Sequence, residues 1–81
     1  MSYLHLDIIS PEKNLFSGEV SQVTLPGTLA PFVILPDHAP IISSLTKGSI
    51  TYKDKEGQTG SVEVDGGFVE MSNQKVTVCI C

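Results

Sequence analysis

The chain has 81 residues, and its formal net charge of −4 sets five lysines, with no arginine, against nine acidic side chains. With 41% hydrophobic and 17% charged residues it is globular, and it is short enough to be read as one domain over residues 1–81 with a single modest core. Burying only about 60% of the unfolded surface leaves no room for an enclosed cavity with a catalytic shell. An acidic, arginine-free chain also lacks the basic patch that nucleic acid requires.

Met1–Asp7 has neither the basic start nor the apolar stretch of a secretory signal, so a cytosolic or cytosol-facing chain is expected. Leu4, Leu6 and Ile8 share one parity, with Tyr3, His5 and Asp7 on the other. That alternation predicts a strand with one buried face, and it makes His5 a half-exposed strand histidine. A long second strand follows Pro11 and changes phase. Val20 has even parity, while Val23 and Leu25 have odd parity. A bulge near Ser21-Gln22 reconciles them, because one extra residue swaps the faces.

Residues 26–40 carry four prolines together with Leu29, Phe32, Val33, Ile34 and Leu35. Proline fixes φ and lowers the entropy of the free chain, so this loop is expected to be stiff. Its longest apolar run, Phe32–Leu35, is far shorter than the roughly 18 residues of a membrane span. From the residues alone, two readings of the loop stand side by side. It is a preorganised docking surface, or Phe32, Ile34 and Leu35 only plug one end of the core.

Thr46-Lys47-Gly48-Ser49 lacks the glycine and spacing of a phosphate loop and reads as a turn entering a strand. Ile50 and Tyr52 alternate with polar neighbours, as do Val62 and Val64, and Asp54-Lys55-Glu56-Gly57 joins the two runs as a hairpin. Gly66-Gly67 and Ser72-Asn73-Gln74 are further turns around an alternating segment. Val76, Val78 and Ile80 then form the last apolar stripe. Cys79 and Cys81 lie two apart on this strand and are expected to be reduced thiols. The strand spacing predicts an all-β chain, an antiparallel β-sandwich.

No catalytic set emerges. Asp37 and His38 are adjacent, and neighbours on an extended chain point apart, so Asp37 is poorly placed to orient His38. No serine or cysteine sits in a nucleophile elbow. The scattered carboxylates form no paired motif, and two cysteines with two distant histidines match no zinc spacing. No catalytic residue, cofactor or metal is therefore expected.

Several segments together resemble a known family. They are Leu6–Lys13, Leu15–Val20, Pro26-Gly27, Leu35–Ile41 with its Leu-Pro-x-His-Ala-Pro pattern, Gly66–Met71 with its Gly-Gly-Phe-Val-Glu pattern, and Lys75–Val78. In this order, over nearly the whole chain, they resemble the epsilon subunit of the rotary proton-translocating ATP synthase. The resemblance implies a β-sandwich of about ten short strands in two sheets. It implies a non-catalytic central-stalk subunit that links gamma to the membrane c-subunit ring and meets the alpha–beta catalytic head only indirectly. Such a subunit is peripheral on the cytoplasmic face of the bacterial membrane, with no direct lipid insertion. It also implies ring contacts at Ala30, Pro31, Phe32, Asp37 and His38.

The chain departs from the family pattern at several of these positions. Ala30-Pro31 stands where the family often has Gly-Glu, and Asp37 stands where it often has Gly. Asp tolerates the positive φ that such a glycine serves better than most residues do. Most members also continue into a helical hairpin, whereas this sequence stops at Cys81. A short natural form is expected rather than a truncated domain. The competing reading is a free-standing β-sandwich interaction module using an edge strand or an aromatic groove, which an aromatic content of 6% and the absence of Trp disfavour.

Overall fold

The computed structural model describes residues 2–81. It contains eight strands: β1 Leu4–Ile9, β2 Asn14–Leu25, β3 Phe32–Ile34, β4 Ile41–Leu45, β5 Gly48–Asp54, β6 Thr59–Val64, β7 Gly67–Ser72 and β8 Lys75–Ile80. No helix occurs among the described residues. The strands form one hydrogen-bonded path in the order β4-β7-β8-β1-β2-β5-β6, with β3 attached to β2.

The 12-residue β2 explains how one path makes two layers. Its first part, Asn14–Val20, pairs with β1. Its second part pairs with β5 through Gln22–Thr24 and with β3 through Val23–Leu25. Between them the register to β5 shifts from Val20↔Asp54 to Gln22↔Lys53, leaving Ser21 as the extra residue. A bulge of this kind bends a strand and swaps its faces. Val20 on one side, and Val23 and Leu25 on the other, are accordingly all fully buried. The Ser21 hydroxyl donates to the Lys53 carbonyl at 3.3 Å, across the irregular stretch of the ladder. The bulge expected near Ser21-Gln22 is therefore where the sheet folds over.

The two layers close on one core. Leu4, Leu6, Ile8, Val69, Met71, Val76 and Val78 come from the β1, β7 and β8 side, and Val23, Leu25, Ile34, Ile50 and Val64 from the other. These are the apolar stripes of the period-two reading, and no polar or charged residue is buried among them. Two glycines are filled by aromatic rings. A Cβ on Gly18 would touch the Phe16 ring at 3.2 Å, and one on Gly60 would overlap the Tyr52 ring at 2.3 Å. The two rings lie 4.1 Å apart, centroid to centroid, covering backbone that the glycines leave bare.

Two features differ from the expected sandwich. Eight strands form where the resemblance implies about ten. The prolines of residues 26–40 cannot donate to a ladder, so that segment yields only the three-residue β3 and a single bridge between Gly27 and Leu45. The second difference is that β1 and β8 pair in parallel, so the sheet is not wholly antiparallel. The β7–β8 hairpin returns the chain alongside β1 in the same direction.

The turns follow the expected chemistry. The Asp54 carboxylate accepts from the amides of Glu56 and Gln58, and Gly57 takes φ 85°. Asn73 and Gln74 have φ 52° and 64° between the paired residues Ser72 and Lys75. That is a two-residue turn with both central residues left-handed, the form that suits a twisted hairpin.

Gly67 is the most constrained turn residue. It has φ 143°, and an added Cβ would lie 2.1 Å from the Cys79 carbonyl oxygen. Gly57, at φ 85°, has nothing within 4 Å of such an atom. Gly67→Ala is expected to cost about 3 kcal/mol or more, and Gly57→Ala only about 1 kcal/mol. Urea unfolding of the two variants beside the parent checks this difference.

Candidate functional site: the proline-rich loop

The segment from Pro26 to Pro40 leaves β2, forms β3 and returns to β4. Its first turn is held from both sides. The Gly27 amide donates to the Leu25 carbonyl at 3.0 Å, and Thr28 N–H donates to the Ser44 carbonyl at 3.1 Å. Thr28 and Ser44 hydroxyls meet at 2.8 Å, and the Thr46 amide donates to the Pro26 carbonyl at 2.8 Å. The Phe32 ring lies against Gly27 so closely that a Cβ there would sit 2.8 Å from it. Such a Cβ would also lie 2.5 Å from the Ala30 carbonyl oxygen, so the turn's backbone and the ring together require glycine here.

This packing divides the site residues predicted from the sequence. Ala30 and Pro31 are exposed, as are Asp37 and His38. Phe32 is half-buried and packs on the core, and Ile34 is fully buried. The plug reading therefore holds for Phe32 and Ile34, while Leu35 is 51% exposed and plugs nothing. The predicted residues also fall in two groups. Ala30 and Pro31 line a groove along residues 41–44 of β4, with Phe32 paired to Leu25. Asp37 and His38 precede the Ile41 end of β4, which pairs with Met71 near the β7–β8 hairpin.

At that second group the polar contacts are specific. Asp37 has φ 68°, the left-handed conformation that Asp tolerates. Its amide donates to Gln74 Oε1 at 2.8 Å, and its carboxylate accepts from Gln74 Nε2. Gln74 in turn accepts the His5 amide through its own carbonyl at 2.9 Å. The His38 amide donates to the Leu35 carbonyl at 3.1 Å, and its Nδ1 lies 2.7 Å from the Ala39 carbonyl oxygen. A carbonyl only accepts, so Nδ1 carries a proton and Nε2 is the free atom. Asp37 therefore pins the loop to the hairpin and does not orient His38.

The remaining chemistry-bearing groups lie elsewhere. His5 sits on the outer face of β1, with Nδ1 3.1 Å from Glu19 and Nε2 3.3 Å from Asp7. Asp7 also accepts the Ser17 hydroxyl at 2.6 Å. Cys79 and Cys81 are free thiols. Among the described residues, no group of three or more His, Cys, Asp or Glu is arranged to hold a metal ion.

Gln74, Leu29 and Ile42 are not among the predicted contact residues, although Leu29 belongs to the apolar loop read from the sequence. Leu29 is wholly exposed and Ile42 is 76% exposed. They flank an open groove between the loop and β4, lined also by Gly27, Pro31, Phe32 and Ile41. Ile42 has the parity of a surface residue on an alternating strand, and that was its only signal. Gln74 stood out only as part of a turn.

The fold and loop define a small β-sandwich with a braced, largely apolar loop edge. The chain belongs to the ATP synthase delta/epsilon chain β-sandwich domain family, whose model matches residues 3–80. It is 47% identical over 75 residues to the ATP synthase epsilon chain of Nitratidesulfovibrio vulgaris, a match over 93% of this chain and 55% of that one. It is 39% identical over 79 residues to the ATP synthase epsilon chain of Caulobacter vibrioides, over 96% of this chain and 90% of that one. The chain spans about half the length of the Nitratidesulfovibrio relative and most of the Caulobacter one. Its fold matches a chain in the cryo-EM structure of the Euglena gracilis mitochondrial ATP synthase OSCP/F1/c-ring, with TM-score 0.92 and 15% identity over 99% of this chain and 51% of that one. A second match is in the Tetrahymena thermophila mitochondrial ATP synthase central stalk and c-ring, with TM-score 0.77 and 17% identity over 98% and 63%.

Because Gln74 holds the loop from a strained position, its two roles separate experimentally. Gln74→Gly relieves the positive φ but removes both bonds to Asp37. Global stability is expected to change by less than about 1 kcal/mol. The Asp37 amide should exchange with solvent about tenfold faster or more, since its only protection is the Gln74 side-chain oxygen. Hydrogen exchange followed by NMR reads both effects.

Proposed function

We propose that this domain is a non-catalytic part of an ATP synthase central stalk. It joins gamma to the membrane c-subunit ring and carries torque between them, so that proton flow is coupled to ATP synthesis in the alpha–beta head. The observation that carries this reading is the family match over residues 3–80. The relatives named as ATP synthase epsilon chains support it. The domain is then peripheral to the membrane, on the cytoplasmic face in a bacterial cell, and is held there by protein rather than by lipid.

The chain's physical properties fit such a role. A torque-bearing part needs stiffness, and a wholly apolar core inside continuous ladders supplies it. The loop is braced by Thr28–Ser44, Thr46–Pro26 and Asp37–Gln74 contacts, so docking costs little ordering entropy. We place the ring contact at Ala30, Pro31, Asp37 and His38, with Phe32 acting beneath them as support.

Recovery of gamma and c subunits by the tagged 81-residue chain from detergent-solubilised membranes tests the reading. Recovery of neither overturns it. His38→Glu is expected to reduce c-subunit recovery roughly tenfold, about 1.4 kcal/mol, with the urea midpoint unchanged because His38 is exposed. Phe32→Asp is expected to lower stability by about 3 kcal/mol, which would be visible in the free chain without any partner.

A further inference from the structure

Cys79 and Cys81 are the two thiols of the chain, and the rotor reading uses neither. Val76 and Val78 of β8 are fully buried, so alternation turns Thr77 and Cys79 to the outer face of the sheet. The Cys81 amide donates to the Gly66 carbonyl at 3.2 Å, which carries the β7–β8 ladder one residue past Ile80 and puts Cys81 on the same face. Cys79 is half-buried there and Cys81 is exposed. Cys79 is paired with Ile9 of β1 on one side and with Phe68 of β7 on the other, both uncharged. Across from Cys81 stands Gly66, which has no side chain to cover the thiol. The two sulfurs therefore share one face, with an apolar border at Cys79 and an open edge at Cys81.

A disulfide does not suit this spacing. Same-face neighbours on a strand lie about 6.6 Å apart at Cα, near the upper end of what a disulfide spans, whose usual value is about 5.5–6 Å. Closing one would kink β8 between the two residues. Cys79 belongs to two ladders at once, and Cys81 is held by Gly66, so the kink would break backbone pairing on both sides. One ion held between the sulfurs needs much less. With metal–thiolate bonds of about 2.3 Å the sulfurs stay up to about 4.6 Å apart, a separation that side-chain rotation reaches from an unbent strand.

The number of ligands selects the ion. Zinc takes four, and among the described residues no third His, Cys, Asp or Glu joins the pair in a metal-holding group. Thiolates select soft ions such as Cu(I), a filled-shell ion that accepts two sulfurs in line. We infer that Cys79 and Cys81 form a two-thiolate site for a soft monovalent cation, Cu(I). On binding, two S–H groups give up their protons to solvent, two Cu–S bonds form, and no electron is transferred. Only β8 and its two neighbours make the site, so it stands whether or not the rotor reading does.

The test titrates the reduced 81-residue chain with Cu(I) under nitrogen, in competition with the chromogenic Cu(I) chelator bathocuproine disulfonate. One Cu(I) per chain is expected, with two sulfur ligands per copper by X-ray absorption. Cys79→Ser and Cys81→Ser should each lower the affinity about a hundredfold or more, because either leaves a single thiolate without its chelate partner. Cys81 is exposed, so Cys81→Ser should keep the parent's urea midpoint and report on binding alone. A serine variant that binds Cu(I) as the parent does overturns the site. So does one copper shared between two chains, seen as a copper-dependent dimer on size exclusion. Closure of a disulfide between Cys79 and Cys81 by glutathione disulfide, with the parent's urea midpoint retained, also overturns it, because the strand would then bend freely where the ladders are said to hold it straight.

Discussion

A single extra residue in β2 determines how the rest of the chain is arranged. With strict pairing along its 12 residues, Val20 and Val23 would face opposite sides, and the two halves of the strand could not serve the same core. Ser21 opens the ladder between Val20 and Gln22, and the strand bends there. The first half then belongs to the layer of β1, β8, β7 and β4, and the second half to the layer of β3, β5 and β6. Because both layers hang on one strand, their relative placement is covalently fixed. The Phe16–Tyr52 ring pair over Gly18 and Gly60 spans this joint, so neither layer moves without breaking packed contacts.

The loop inherits its rigidity from that joint. β3 pairs with the second half of β2, and β4 pairs with β7 in the other layer. The segment that connects β3 to β4 therefore crosses from one layer to the other. The whole proline-rich stretch is tied before β3 by the Gly27–Leu45 bridge and the Thr28–Ser44 pair, and after β3 by Asp37 and Gln74. Each tie joins residues of different layers or hairpins. A push on Ala30 or His38 is consequently transmitted to the whole sandwich.

The strands were legible because each buries one face, and parity alone then picks out Leu4, Leu6, Ile8, Val76 and Val78. The bulge was legible for the same reason, since a strand that keeps burying apolar side chains across a change of parity must take in an extra residue. The parallel pairing of β1 and β8 was not, because alternation says which face is buried and nothing about which strand lies alongside. The proline-rich segment was legible as stiff but not in its division of labour. Phe32, Val33, Ile34 and Leu35 are all apolar, and only packing against Gly27 and the core separates the buried ones from the exposed. Gln74 was hidden because its role depends on a contact with Asp37, far away in sequence.

Stiffness and polarity of the loop have a common origin. A loop that must hold one shape without a ladder uses prolines and close backbone contacts, and neither leaves room for long charged side chains. Pro26 is packed against Gly48, where a Cβ would come within 2.9 Å of it, and Gly27 is packed under Phe32. The residues between these anchors are small or apolar: Thr28, Leu29, Ala30 and Pro31. Holding the loop by burial therefore exposes an apolar tip, and leaves the polar groups of this segment at Asp37 and His38, where hydrogen bonds fix the turn. An edge built this way presents shape and apolar surface at one end and directed polar groups at the other. A partner that satisfied both ends would be held in a single orientation.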